Sequence, residues 1–188
     1  MSYFSIKPSL ISFFVLIFVL FAESSYAAKV VDVNEICKQY RNSSFCLTIL
    51  KSKPGGVEGA DLVSLAYHTI NIARLNLTNS VTLIMNLISN SSNDTIAKSH
   101  YERCLLFFGQ DEGALVELDY TEEMLEKEYY FGVNLASISV IVDINECISG
   151  EDSEGPPYPN KSDLPRNGVF IQKVIQILLV ISQLLYEN

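Results

Sequence analysis

The stretch between Cys104 and Cys147 constrains this chain more than any other, because two thiols 43 positions apart can meet only if the residues between them turn back. Run as one unbroken helix, the segment would hold its sulfurs about 64 Å apart at a rise of ~1.5 Å per residue. A disulfide tolerates less than about 7 Å between Cα atoms. The segment is nevertheless rich in helical signals: Leu118, Leu125, Leu135, Ile138 and Val142 recur at spacings of seven, ten, three and four, with no proline among them. If these two cysteines pair, the segment is an antiparallel helical hairpin. Equal arms put its turn within residues 125–132, where Glu126, Lys127 and Glu128 precede Tyr129, Tyr130, Phe131 and Gly132. Asp119 followed by Glu122 is a competing signal, a capping box that would open a fresh helix several residues earlier. The later turn is preferred because it keeps the cysteines level.

The first residues differ in kind from the rest. Lys7, an apolar run from Leu10 to Ala22, and small residues Ser25 and Ala27 at the positions that precede a cleavage point read as a secretory signal peptide over residues 1–27. The alternative, an uncleaved anchor, needs a span of ~20 apolar residues, and this run is shorter. Cleavage leaves residues 28–188, and the net charge of −9 is unchanged because Lys7 and Glu23 cancel. An acidic protein is a poor partner for nucleic acid and for anionic lipid, so neither nucleic acid nor, after cleavage, a membrane is expected to bind it. A basic protein would be steered towards it.

Four cysteines in a secreted chain imply two disulfides, with three pairings formally possible. Sequons at Asn42, Asn76, Asn90, Asn93 and Asn160 fit the same compartment and are candidate glycosylation sites.

The mature chain divides into a leading part, residues 28–57, and a larger one, residues 58–188. In the first, Val30, Val31, Val33 and Ile36 lead amphipathically into Cys37, and Cys46 lies nine positions on, about 13 Å along a continuous helix. Pairing those two needs a break, and Arg41-Asn42-Ser43-Ser44 supplies turn chemistry for a small helical hairpin. Pro54-Gly55-Gly56 then punctuates the chain. From Ala60 to about Ser89 the apolar positions keep helical period. Asn90 to Asp94 ends that helix, and Asp94 or Thr95 can cap the next, which runs through Cys104 to Phe108. After Cys147 a Gly, Pro and acid-rich stretch reads as a solvated loop, and a last helix spans about Gly168 to Tyr186. That apolar tail has the form of a removed lipid-anchor signal, but its interruptions by Gln172, Lys173, Gln176, Ser182 and Gln183 favour a buried bundle helix. The expected fold is all-α: an up-and-down four-helix bundle with an N-terminal helical hairpin.

Catalytic chemistry has no foothold in the sequence. His68 and His100 lie in no metal-ligand spacing, and no nucleophile elbow, phosphate loop or zinc-protease motif occurs. The carboxylates between Asp111 and Glu128 read as a solvated helix face. No cofactor, no metal and no catalytic residue is expected. Tyr129-Tyr130-Phe131 at the hairpin turn is the most exposable aromatic group, suited either to a binding hot spot or to closing the bundle end.

The layout resembles the plant invertase and pectin methylesterase inhibitor family. The resemblance covers nearly the whole mature chain, and its most specific pieces are Ile36-Cys37, Asn42-Ser43-Ser44-Phe45-Cys46-Leu47, Cys104, Asn134 thirteen residues before Cys147, and Leu179 to Leu185. It implies disulfides Cys37 with Cys46 and Cys104 with Cys147, a four-helix bundle behind a helical hairpin, and one-to-one steric inhibition of a cell-wall or vacuolar carbohydrate enzyme. Phe108 stands where the family usually carries a tyrosine, and Ile138-Ser139-Val140 where it carries Ser-Ala-Ala. The invertase-inhibiting branch is less similar, because its Pro-Lys-Phe turn would fall at Tyr129-Tyr130-Phe131. Pectin methylesterase is therefore the first expected partner and acid invertase the second, in the apoplast and cell wall or in the vacuole. The second and third bundle helices would cover the enzyme's cleft, which points to Glu122, Glu126, Tyr129 and Asn134 as target-binding residues. A secreted helical bundle without inhibitory activity is the remaining alternative.

Overall fold

The structure, a computed structural model, describes residues 31–149 and 158–187. The signal peptide expected over residues 1–27 and most of the acidic loop after Cys147 lie outside the described residues. The described chain is helical throughout its regular structure: α1 (Val33–Lys38), α2 (Ser43–Lys51), α3 (Leu62–Asn90), α4 (Thr95–Phe108), α5 (Ala114–Glu126), α6 (Tyr130–Ser149) and α7 (Leu164–Glu187).

Short polar side chains set the helix starts by satisfying backbone N–H groups that have no partner in a first turn. Asp32 accepts from the Asn34 N–H at 2.8 Å, Asn42 from Phe45 at 3.2 Å, Asp61 from Ser64 at 2.6 Å and Asp94 from Ala97 at 2.9 Å. The break falls at Gln39–Asn42, two residues earlier than the Arg41–Ser44 stretch suggests, because Asn42 caps α2 and Ser43 and Ser44 already form its first turn. α1 and α2 close into the small hairpin through the Cys37–Cys46 disulfide, whose Cα atoms are 5.5 Å apart. Its base is tied to the next element by the Val31 N–H donating to the Ala60 carbonyl at 3.2 Å. His68 on α3 places Nε2 3.0 Å from the Ile49 carbonyl oxygen and 3.2 Å from Ser52 Oγ, which pins the hairpin to the bundle.

The bundle runs up and down. α3 packs against α7 and α4, and α6 lies between α5 and α7. The core is drawn from one face of each helix: Leu65, Ile70 and Leu77 from α3, Leu118 and Leu125 from α5, Val133, Val140 and Ile144 from α6, and Ile171, Val174, Ile175, Leu178 and Ile181 from α7. α7 is thus a buried bundle helix. It starts at Leu164, four residues earlier than its periodicity suggests, because Pro165 is harmless in a first turn that needs no N–H from it.

The Cys104–Cys147 disulfide, with Cα atoms 4.8 Å apart, joins α4 to the end of α6. The turn of the stapled segment falls at Lys127–Tyr129, inside the expected window. Its first arm, however, is two helices and not one. The chain breaks at Gly109–Gly113 before α5 begins. A Cβ at Gly109 would lie 2.6 Å from the Leu105 carbonyl oxygen, and one at Gly113 would lie 2.3 Å from that of Leu106, so the backbone doubles onto itself where side chains cannot fit. The capping reading of Asp119 is displaced by the same break: α5 is already under way at Ala114, and the Asp119 carboxylate accepts from Arg74 instead. Phe108, at the foot of α4, is wholly buried. A tyrosine hydroxyl there would need a partner that phenylalanine does not.

Candidate docking face on the third bundle helix

α6 is apolar on more of its circumference than a core requires. Its inward face is Val133, Val140 and Ile144, all 0% exposed. On the opposite side Phe131, Leu135, Ile138 and Val142 follow one another at spacings of four, three and four, and they are 49%, 51%, 44% and 49% exposed. Those spacings align them in one stripe. No charged residue occurs between Tyr130 and Val142. A continuous solvent-facing apolar stripe is what a protein contact uses, whereas single exposed apolar side chains are unremarkable.

The stripe begins at an aromatic cluster on the bundle end. Tyr129 is 52% exposed, its ring centroid lies 6.3 Å from that of Phe131, and Phe131 lies 6.5 Å from Tyr186 of α7. Tyr130 turns the other way and packs against the core. The aromatic turn therefore divides its rings between closing the bundle and facing solvent. Backbone geometry fixes this arrangement. Tyr129 donates its N–H back to the Met124 carbonyl at 2.9 Å and Glu128 to that of Leu125 at 3.0 Å, the paired bonds of a helix terminus closed by a left-handed residue. Glu128 occupies that position with φ of 55°, where glycine is the usual occupant.

The four side chains singled out for target binding lie along this region in different states. Tyr129 and Glu126 are exposed. Glu122 is half-buried and accepts from Arg74 of α3, which also holds Asp119, so its carboxylate already has a partner. Asn134 is half-buried on the flank of the stripe, its Nδ2 donating to Ser182 Oγ on α7 at 3.3 Å. Tyr67 of α3 lies beneath the acids: burial first, then the charges of Glu126 and Glu122, push its hydroxyl pKa up. The rest of the α5 acid run behaves as a solvated face, with Glu123 paired to Lys127.

At the seam between α5 and α6, Asp143 keeps Oδ2 buried without a hydrogen-bond partner. Burial, Glu117 and Glu146, in that order, push its carboxyl up to about 6. No cluster of three or more metal-ligating side chains occurs among the described residues. The sequons fall into two groups. Asn42, Asn90 and Asn93 are exposed. Asn76 donates its amide to the Ile72 carbonyl at 2.8 Å, and Asn160 places Nδ2 3.3 Å from His100 Nε2 while its Oδ1 accepts from Ser162 and Tyr101.

From the sequence, Leu135, Ile138 and Val142 are helical signals, and the structure adds that they line an outward stripe. The signal was available: α6 carries two apolar sets on opposite sides, and a helix packed on one side needs one.

No profile of a known protein family matches the chain. It is 27% identical over 161 residues to pectinesterase inhibitor 2 of Arabidopsis thaliana, covering 86% of this chain and 88% of that one. It is 26% identical over 173 residues to pectinesterase inhibitor 1 of the same plant, covering 92% and 93%. A crystal structure of a mutant form of a pectin methylesterase inhibitor from Arabidopsis superposes with a TM-score of 0.65 at 23% identity, over 79% of this chain and 93% of that one. A second pectin methylesterase inhibitor structure from Arabidopsis thaliana gives a TM-score of 0.59 at 23% identity, over 83% and 97%. The sequence likeness runs nearly end to end, and the structural likeness establishes the shared helical fold. The resemblance drawn from the cysteine layout leads to these same inhibitors.

Proposed function

We infer that this chain is a secreted inhibitor of pectin methylesterase that binds its target one-to-one and covers the substrate cleft. The observation that carries the reading is the near full-length similarity to two pectinesterase inhibitors, with their fold and with both cysteine pairs in place. An inhibitor of this kind would need no catalytic residue of its own. This chain's histidines are tied to backbone and aromatic neighbours and its cysteines are consumed in disulfides. Inhibition is steric, needing only a rigid body with a complementary face.

The α5–α6 face is the docking surface. The stripe of Phe131, Leu135, Ile138 and Val142 supplies apolar area that is released from water on binding. Tyr129 at the turn is the aromatic anchor, and Glu126 and Asn134 on the flanks supply polar contacts. The net charge of −9 speeds encounter with a basic enzyme without fixing the final pose. The signal peptide expected over residues 1–27 would send the chain into the secretory pathway, with the apoplast as the proposed destination and the vacuole as the alternative.

The test is a paired titration of the purified mature chain into pectin methylesterase and acid invertase assays. Stoichiometric loss of pectin methylesterase rate with invertase untouched is the expected result. Full pectin methylesterase activity at micromolar excess would overturn it, and inhibition of invertase alone would transfer the reading to that enzyme.

A further inference from the structure

Charge is segregated in this acidic protein. Residues 36–57 and 164–186 contain no Asp or Glu, yet hold Lys38, Arg41, Lys51, Lys53, Arg166 and Lys173, six of the thirteen cationic side chains. These two stretches meet where the hairpin packs on α7. Tyr40 on the hairpin donates its hydroxyl to the Lys173 carbonyl at 3.3 Å, and Phe45 of α2 meets Phe170 of α7 edge-on with centroids 5.8 Å apart. The contact leaves two adjoining grooves that share Lys173. One, of about 660 Å³, is lined by Arg41, Asn42, Ser43, Ser44 and Gln176 beside Tyr40. The other, of about 440 Å³, is lined by Phe45, Phe170, Val169 and Arg166. Both volumes are within the ~300–1,000 Å³ usual for small-ligand sites.

Arg166 is paired with Asp163 and Lys38 with Glu35, but Arg41 and Lys173 have no carboxylate partner among the described residues. Lys173 Nζ lies 6.0 Å from the centre of the Phe45 ring, so the cation and the aromatic face are presented together. Arg41 and Lys173 supply charge for carboxylates. Asn42, Ser43, Ser44 and Gln176 supply donors and acceptors for hydroxyls, and the aromatic rings supply an apolar floor for the C–H face of a sugar. We propose that this double groove binds a carboxylated oligosaccharide, the uronate polymer left when methyl esters are removed from pectin. The choice of uronate rests on the inhibitor reading. Occupancy would hold the inhibitor on polymer its target has already processed, and would leave the α5–α6 face free.

The test is calorimetric titration of the intact mature protein, prepared with and without N-glycans because Asn42 stands on the groove rim. The probes are a de-esterified oligogalacturonide, its fully methyl-esterified counterpart and a sulfated oligosaccharide of similar length. Binding to the de-esterified probe that weakens with salt, with at least about tenfold weaker binding to the other two, is expected. The double variant Arg41→Gln with Lys173→Gln should lose at least about tenfold in affinity at an unchanged thermal midpoint. Equal binding of the esterified and de-esterified probes, equal or tighter binding of the sulfated one, or an unaffected double variant would overturn the proposal. Neither residue is on the α5–α6 face, so the variant should still inhibit pectin methylesterase. Oligosaccharide binding by a protein that never inhibits would sink the inhibitor reading and leave the groove standing.

Discussion

Asp143 of α6 and Glu117 of α5 repel one another across the seam of the α5–α6 hairpin, and the charges acting on Asp143 are both negative, with Glu146 the second. Its carboxyl, pushed up to about 6, lies above the ordinary carboxylate value of about 3.9. The folded state therefore favours its neutral form. The stability this contributes is complete below about pH 4 and is lost as pH rises through about 6. The variant Asp143→Asn removes the titration. It should unfold at a higher temperature than the parent near pH 7.5 and at about the same temperature near pH 4, a gain on the order of 1 kcal/mol once solvent screening is allowed for. Thermal melts of both proteins at the two pH values check this, and a gain independent of pH would refute it.

The same hairpin shows what the sequence could and could not carry. The need to fold back is written in Cys104 and Cys147, and the turn at Lys127–Tyr129 follows from symmetry between them. Capping side chains and apolar period place α3 and α4 within a residue or two. The break at Gly109–Gly113 is harder to read, since neither glycine adopts a left-handed conformation and the reason for both is contact with the carbonyls of Leu105 to Phe107 in the last turn of α4. The outward stripe on α6 is hidden for a different reason. Periodicity reports that a helix has an apolar face, while only packing says which of two faces the bundle uses. Glu122 likewise reads as a free surface acid until Arg74, 48 positions away in sequence, is seen to hold it.

If the stripe is the contact surface, charge placed on it should abolish inhibition and leave the fold intact. Leu135→Glu and Ile138→Glu, each about half exposed, are expected to weaken inhibition by at least about tenfold while shifting stability by less than about 0.5 kcal/mol. Leu125→Ala is the converse control. Being 2% exposed, it should cost about 2–5 kcal/mol of stability, with the folded fraction still inhibiting. Titrations with pectin methylesterase alongside denaturant melts separate the two outcomes, and unimpaired inhibition by both glutamate variants would remove the stripe from the interface.

Glu128 pays a conformational cost that glycine would not, because its φ of 55° brings Cβ towards the following carbonyl. The variant Glu128→Gly should be more stable by roughly 0.5–1 kcal/mol, net of the greater entropy of glycine in the unfolded chain. Chemical denaturation measures it. A destabilised variant would mean that the Glu128 side chain makes contacts outweighing its backbone strain.

The sequons should divide by the state of their amide nitrogens. Glycan on Asn160 would displace His100 from Nδ2, and glycan on Asn76 would break its bond to the Ile72 carbonyl, whereas Asn42, Asn90 and Asn93 offer exposed amides. Glycopeptide mass spectrometry of protein secreted by plant cells should find sugar at one or more of the exposed three and none at Asn76 or Asn160. Occupied Asn160 in active protein would contradict the network drawn around His100.

The two disulfides should differ in what their loss does. By loop-closure entropy, a link across 43 positions is worth about 4 kcal/mol and one across nine about 2.6 kcal/mol. The larger link ties α4, which precedes the break at Gly109–Gly113, to the end of α6, so the break and α5 lie inside the loop that it closes. Without it, α5 and α6 must find their place by packing alone, and Asp143 already works against that seam above about pH 6. The paired variant Cys104→Ser with Cys147→Ser is therefore expected to lose stability and inhibition together, more severely at neutral than at acid pH. Cys37→Ser with Cys46→Ser removes a link confined to the small hairpin, so the bundle should persist and inhibition with it. Melting and inhibition measured on both pairs at two pH values test the contrast. Equal loss of inhibition in the two would mean that the hairpin, and not the α5–α6 face, makes the decisive contact.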